Sequence, residues 1–335
     1  MILNEAAEAY FESAKLKVKA NKIKDAIQDL TKAIELDPNN PLYYAERGRV
    51  RSDYLAPSQK NNQAAYADFN HAITLDPCCA VAYLGRGSLK RSDLFEKDID
   101  GALADWGKAI HCDPNLVEVY EARASFYTLE KRAFPRALAD YMEAVRLKPG
   151  NRLNYLNRGR VRYRLGDVEN GLKDIVMALQ MGVELSPSMI WNKSDKIILA
   201  ELDSIIQANS NLREAYILRG MCYGFLKEPH RAVDDFSRAI ELNPDDWLTY
   251  LYRAHTHSRL ENIEQTLTDL NRSIELNPQQ ARAYISRGMV FNRMGEIAKA
   301  VQDFEFVVEH YPKDIDAHDL KLPKVIAKLK KALEG

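Results

Sequence analysis

Apolar residues recur along this chain at i, i+4, i+7 and i+8, and most of the runs end at a proline. The first clear copy is "AIQDLTKAIELDPN", in which Ala26, Leu30, Ala33 and Ile34 fall on one face of a helix. The pattern returns in "AYADFNHAITLDPC" at Ala65, "ALADWGKAIHCDPN" at Ala102, "ALADYMEAVRLKPG" at Ala137 and "GLKDIVMALQMG" at Gly171. It continues in "AVDDFSRAIELNPD" at Ala232, "TLTDLNRSIELNPQ" at Thr266 and "AVQDFEFVVEHYPK" at Ala300. The proline cannot continue the preceding helix and suits the first turn of the next one.

A second motif stands before most of these runs: "YAERG" at Tyr44, "YLGRG" at Tyr83, "YEARA" at Tyr120, "YLNRG" at Tyr155, "YILRG" at Tyr216, "YLYRA" at Tyr250 and "YISRG" at Tyr284. With Tyr10 included, the tyrosines advance by 34, 39, 37, 35, 61, 34 and 34 residues. A period near 34 is one helix-turn-helix unit. The pattern predicts a first helix A carrying the Tyr motif and a second helix B carrying the apolar run.

At these residues the chain resembles the tetratricopeptide repeat family. The aromatic, the Gly or Ala four residues later, the Ala opening helix B, the residue after the Asp, the second Ala and the closing Pro stand at that family's spacing. The resemblance implies an all-α, right-handed α-solenoid of about eight good repeats, one degenerate repeat and a C-terminal capping helix. The expected organisation is an N-terminal array over 1–182, a degenerate repeat or linker over 183–212, a C-terminal array over 213–314 and a capping helix over 315–335. In the degenerate segment, a short helix A is expected around Pro187 to Asn192, and Ile198, Leu202, Ile205 and Ile206 give a helix-B-like face. This segment either keeps the stack continuous or divides it into two lobes. In the last segment, Lys324, Lys328, Lys330 and Lys331 alternate with Val325, Ile326, Leu329 and Leu333.

Each helix B carries an Asp: Asp29, Asp68, Asp105, Asp140, Asp174, Asp235, Asp269 and Asp303. Every repeat but the first also has the motif Arg, as Arg47, Arg86, Arg123, Arg158, Arg219, Arg253 and Arg287; the first has Ser13. Each Arg is expected to pair with an Asp of its own or the neighbouring hairpin, with Arg158–Asp174, Arg219–Asp235, Arg253–Asp269 and Arg287–Asp303 as structural ion pairs. The other reading is an arginine ladder presented to an acidic ligand. Gly48, Gly87, Gly159, Gly220 and Gly288 each cost a helix about 1 kcal/mol against Ala. They make sense where another helix presses on the backbone, and Ala65, Ala102, Ala137, Ala232 and Ala300 are the expected matching surface.

By the same resemblance, helix A lines a concave groove, with the residue after each Tyr and the residue five after it pointing inward. Leu84, Leu156, Arg49, Arg160, Ile217, Met221, Leu251, His255, Ile285 and Met289 are the expected partner-binding residues. The groove should be apolar in its C-terminal half and basic near Arg49 and Arg160. It lacks the Lys/Asn clamp with which chaperone-binding members hold a terminal carboxylate. An amphipathic helix or extended peptide with apolar anchors and some acidic residues would fit; occlusion by a tight superhelix or by self-association is the alternative. A second contact site, or plain loop variation, is expected at Tyr54, Leu55, Leu94 and Phe95 in two longer A–B turns.

Composition narrows the function. With 46% apolar and 28% charged residues the chain is a folded protein. A net charge of −1 lacks the basic excess of a nucleic-acid binder. No run of about 20 apolar residues predicts a membrane span. The N-terminus, with early Glu residues and no apolar run, does not read as a signal peptide. Cys78, Cys79, Cys112 and Cys222 show no metal-site spacing and look too scattered for a disulfide framework, which suggests a reducing, cytoplasmic setting. There is no HExxH, Walker A or GxSxG, so no catalytic residue, metal or cofactor is expected. The expected function is a non-enzymatic scaffold or adaptor that binds another protein. The alternative is a self-assembling array, an oligomeric structural scaffold.

Overall fold

A computed structural model describes residues 2–56, 58–92, 97–130, 132–183, 186–191, 195–311 and 321–334. These residues form nineteen α-helices and no strand. The chain divides into two compact units, Met1–Gly166 and Asp167–Gly335.

The first unit holds four hairpins and one further helix. The hairpins are α1 (Ile2–Lys19) with α2 (Ile23–Leu36), α3 (Pro41–Tyr54) with α4 (Gln59–Leu75), α5 (Ala80–Arg91) with α6 (Ile99–Cys112), and α7 (Val117–Leu129) with α8 (Phe134–Leu147). The last helix is α9 (Arg152–Arg164). The second unit begins with α10 (Val168–Gln180), α11 (Pro187–Trp191) and α12 (Asp195–Ala208). Three hairpins follow: α13 (Arg213–Phe225) with α14 (Pro229–Leu242), α15 (Trp247–Arg259) with α16 (Ile263–Leu276), and α17 (Ala281–Arg293) with α18 (Ile297–His310). The chain ends in α19 (Leu322–Glu334).

The division falls between the two helices of the fifth expected repeat, and the whole of 183–212 belongs to the second unit. In that segment α11 is the short helix A and α12 the helix B, with Ile198, Leu202 and Ile206 buried and Ile205 half-buried. In α19, Leu322, Ile326 and Leu329 pack onto Phe304 and Val307 of α18, while Val325 and Leu333 stay exposed.

Local chemistry explains the turns. Pro follows the Asp or Asn that ends helix B, and that side chain accepts from the backbone N–H two residues on. Cys78 N–H donates to Asp76 at 2.8 Å, Asn115 N–H to Asp113 at 2.9 Å and Asp245 N–H to Asn243 at 3.1 Å. This Asx turn holds the chain for re-entry into the next helix A. The A–B turns of regular length carry a residue at positive φ: Asn21 (57°), Lys227 (61°), Glu261 (61°) and Gly295 (79°). The longer turns after α3 and α5 have no such residue among those described.

The core repeats the sequence pattern. Ala26, Leu30 and Ala33 are buried with Ala7, Phe11 and Ala14, and Ala102, Trp106 and Ala109 with Val119, Tyr120 and Phe126. The helix-A glycines meet something other than the expected alanine surface. A Cβ on Gly48 would lie 2.8 Å from the Phe69 ring, on Gly220 2.8 Å from Phe236 and on Gly288 2.6 Å from Phe304. On Gly87 it would lie 2.9 Å from Trp106. The ring of the hairpin's own helix B fills the space a side chain would need. Ala65 and Ala102 add only a backbone carbonyl, at 3.1 Å from such a Cβ on Gly48 and 3.0 Å from one on Gly87.

Candidate functional site

Two arrangements carry polar chemistry. The first is the Arg–Asp column. Arg219 donates from Nε and Nη2 to both oxygens of Asp235 at 2.9 and 2.6 Å. Arg253 does the same with Asp269 at 2.8 and 2.7 Å, and Arg287 with Asp303 at 2.9 and 2.7 Å. Arg47–Asp68, Arg86–Asp105 and Arg123–Asp140 repeat the fork in the first unit. In each the partner is the Asp of the same hairpin, and the carboxylate is buried. Arg158 lies in the first unit with its guanidinium 5.2 Å from the Tyr155 ring; Asp174 is buried in the second.

The fork leaves Nη1 to reach the preceding helix B. Arg47 meets Thr31 at 3.3 Å, Arg86 Asn70 at 2.8 Å, Arg253 Ser237 at 3.1 Å and Arg287 Asn271 at 2.8 Å. Each acceptor stands two residues after the preceding repeat's Asp, a polar position outside the motifs read from the sequence. Arg219 uses Asp203 of α12 at 2.7 Å. In front of Arg123 the position is Gly107, which offers no side chain. In the first repeat Lys17 replaces the missing Arg: it and Ser13 each donate to Asp29 at 2.6 Å. The column is packed structure, with its guanidiniums spent on internal carboxylates.

The second arrangement is a concave cavity of about 690 Å³ in the second unit, formed by α11, α13, α15 and α17 over Phe236 of α14. Its apolar wall is Met189, Met221, Phe225, Ile285 and Met289. Met189 is 60% exposed, Phe225 55% and Met289 50%, so this wall faces open space. The polar lining is Ser186, Thr256, His255, Ser286, Arg259 and Arg282, with Tyr252 beside them, and holds no Asp or Glu among the described residues. His255 Nε2 and Ser286 Oγ lie 2.8 Å apart. The imidazole is open to the cavity but crowded by protein elsewhere. That crowding, with the charges of Arg282 and Arg259, pushes its pKa down to about 4, so it is neutral near pH 7. Arg259 donates to the carbonyl of Gly224 at 3.0 Å, which leaves its charge uncompensated by that bond. A smaller space of about 410 Å³, lined by Gly224, Phe225, Lys227, Pro229 and Arg259, continues past Arg259.

Of the expected groove residues, Met221, His255, Ile285 and Met289 come together here. Ile217 and Leu251 do not line the space; both are 0% exposed and pack beneath it. The helix-A position directly after the Tyr points into the stack in these repeats. Arg259 and Arg282 were absent from the expected columns. Their signal was one turn away, four residues after His255 and three before Ile285. In the first unit Leu156 is buried and Leu84 packs beside the Trp106 cluster. Arg49 is held by Glu46, with Asp53 at 3.5 Å, and its guanidinium lies 5.7 Å from the Tyr54 ring. Its positive charge is therefore met within α3, and the expected loop residue Tyr54 is its neighbour. Arg160 is half-buried, and burial with the nearby Arg164 lowers its pKa. Leu55 is half-buried at the end of α3; Leu94 and Phe95 lie outside the described residues.

The expectation drawn from the cysteines is overturned. Cys78 and Cys112 form a disulfide, with Cα atoms 5.2 Å apart, that ties the turn after α4 to the end of α6. The residues are one repeat apart in sequence and adjacent in the stack, which their scatter along the chain concealed. Cys79 and Cys222 are buried thiols. The cysteines therefore do not argue for a reducing compartment. No described helix is long and apolar enough to cross a membrane.

Helical hairpins that recur at a period near 34 residues, six of the seven described tied by an Arg–Asp fork, define a helical-repeat protein. Residues 7–40, 214–246 and 254–322 match tetratricopeptide repeat models, and the chain belongs to the tetratricopeptide repeat proteins. It is 25% identical over 188 residues to human tetratricopeptide repeat protein 6, covering 53% of this chain and 35% of that one. It is 22% identical over 272 residues to the wheat Hsp70-Hsp90 organizing protein, covering 70% and 41%. The chain thus spans about a third to two fifths of these relatives. Among solved structures, the MamA protein is 21% identical, covers 54% of this chain and 98% of its own, and superposes with a TM-score of 0.39.

Proposed function

We propose that the chain is a non-enzymatic scaffold that binds another protein, and that a segment of the partner docks in the cavity between α11, α13, α15 and α17. The observation that carries this is the wall of Met189, Phe225 and Met289, each at least half exposed and all on one concave surface. Large apolar side chains gathered in this way raise the free energy of the unoccupied protein, and covering them lowers it. Methionine suits the role, because its flexible thioether adapts to more than one apolar anchor. Membership of a repeat family built of stacked hairpins supports the reading, since such stacks present long concave surfaces.

The test is selection of random peptides on the immobilised chain, followed by binding of the selected peptides to wild type, Phe225→Asp and Met289→Asp. Both side chains are exposed, so both variants should melt at the wild-type temperature. Loss of binding in the variants supports the cavity; selected peptides that bind all three alike place the contact elsewhere.

A further inference from the structure

We infer that α19 seats on an anionic phospholipid surface through the lysines of its outer face. The bilayer meets the outside of the helix and is not spanned by it. The inference is independent of the docking cavity.

Leu322, Ile326 and Leu329 are the packed face of α19, buried with Phe304 and Val307 of α18. Lys321, Lys324, Lys328 and Lys331 follow one another at spacings of three, four and three residues, which sets them in one stripe turned away from that face. All four are exposed. The stripe rises about 15 Å along the helix. Lys330 stands outside it and pairs with Glu305 of α18 at 2.6 Å. Among the described residues the four stripe lysines have no ion pair.

The stripe differs from the solvated faces of other helices. On α2, α14 and α16 an exposed cation pairs with a carboxylate three residues away: Lys32 with Glu35 at 3.3 Å, Arg238 with Glu241 at 2.8 Å and Arg272 with Glu275 at 3.2 Å. On α19 the lysines have one another at this spacing. The only carboxylate three or four residues from any of them is Glu334, after Lys331. Like charges so placed destabilise a helix. Lys321 and Lys324 also stand at the N-terminal end, where the helix dipole disfavours a cation, and the first turn has no acidic residue. The arrangement works against the helix that carries it. A negatively charged surface outside the helix relieves both costs.

The side-chain types select the kind of surface. Where this chain grips a carboxylate of fixed geometry it uses arginine, as in the forks on Asp235, Asp269 and Asp303; α19 has no arginine. An ammonium is a point charge on a flexible stem, which suits mobile headgroups. A helix presents a rod and not a groove, and a flat bilayer meets all four lysines at once. Val325, 38% exposed, lies at the edge of the stripe, where it adds apolar contact at headgroup depth. The chain's net charge of −1 does not oppose the contact, because charges more than about 8 Å away are screened at physiological salt. Four lysines without an inserted apolar face give weak, reversible attachment.

The experiment is co-sedimentation of the full chain with vesicles of phosphatidylcholine alone and of phosphatidylcholine mixed with phosphatidylserine. Wild type should sediment with the mixed vesicles only, and should be released as salt rises from about 0.1 M to about 1 M. Lys324→Gln with Lys328→Gln should weaken binding about 25-fold, at about fivefold for each lysine. Both side chains are exposed and the variant loses like-charge neighbours, so it should melt no lower than wild type. Should it melt lower, Lys321→Gln with Lys331→Gln makes the same test. Equal sedimentation with the two vesicle types, including none with either, would overturn the inference. Mixed-vesicle binding that the folded double variant leaves unchanged would overturn it too. So would binding of soluble polyglutamate without binding of mixed vesicles, an outcome that assigns the stripe to an acidic protein.

Discussion

Arg219 and Asp235 face each other within one hairpin, joined by two parallel bonds of 2.9 and 2.6 Å, with Asp203 on the third nitrogen at 2.7 Å. Burial, with the charges of Asp203 and Asp234, raises the Asp235 carboxyl pKa, and the Arg219 guanidinium opposes that rise; the same fork raises the pKa of Arg219. The pair is thus costly to bury and costlier to break. Arg219→Ala should destabilise the second unit by about 3–5 kcal/mol, because a buried carboxylate is left without its cation. Asp203→Ala, at a half-exposed partner, should cost about 0–1 kcal/mol. Denaturant melts of the two variants check the contrast, and equal losses would contradict it.

Glycines of different surroundings should respond in opposite directions. At Gly288 a methyl would lie 2.6 Å from the Phe304 ring. Helix propensity favours Ala by about 1 kcal/mol, but overpacking costs about 1–3 kcal/mol, so Gly288→Ala should lower stability. At Gly107 a Cβ meets nothing within 4 Å. Gly107→Ser should raise stability by roughly 0.3–0.5 kcal/mol through propensity, with a further gain where its hydroxyl takes Arg123 Nη1 as Ser237 takes that of Arg253. Thermal melts of both variants read the signs.

The pKa of His255 sets a pH dependence. Its folded value, about 4, lies below the ordinary histidine value, so the unfolded chain binds more protons between the two. This contribution to stability is complete above about pH 6.5 and is lost as pH falls toward 4. The imidazole opens to the cavity, so solvent reduces the size of the effect. His255→Gln should lose less stability than wild type between about pH 7 and 5. In an NMR titration, Arg282→Gln should move the imidazole pKa upward; an unchanged value would contradict a charge effect of Arg282 on His255.

The Cys78–Cys112 link closes 34 residues across two neighbouring hairpins. Cys78→Ser and Cys112→Ser should each cost about 2–4 kcal/mol under non-reducing conditions and nothing further when reductant is added. Free-thiol counting on the unfolded wild type should find Cys79 and Cys222 alone.

Much of this structure was legible in the repeat. The period of 34, the Tyr and Ala positions and the Asp-Pro stops placed the hairpins, because each is a local requirement of helix, turn and stacking. The glycine–ring contact was legible too: Ala14 precedes Leu30 and Ala254 precedes Leu270, whereas Gly48, Gly87, Gly220 and Gly288 precede Phe69, Trp106, Phe236 and Phe304. Tyr141 after Ala124 and Ile175 after Gly159 break the rule, and nothing in the structure explains either. The cavity was half legible. Met221, His255 and Met289 share one register position across repeats, whereas Ile285 shares that of Ile217 and Leu251, which are fully buried. Arg259 and Arg282 come from other columns, and only the packing of neighbouring hairpins places them on the cavity. The cysteine pair depends on which turns stack against each other, a tertiary fact.

Whether the second unit's cavity holds a partner segment can be read from hydrogen exchange of the full chain, measured with and without a peptide selected on it. Docking in the cavity predicts slowed exchange in the turns of α13, α15 and α17 that carry Met221, Arg259 and Met289, with the first unit unchanged. Slowed exchange confined to residues 1–166 would contradict it.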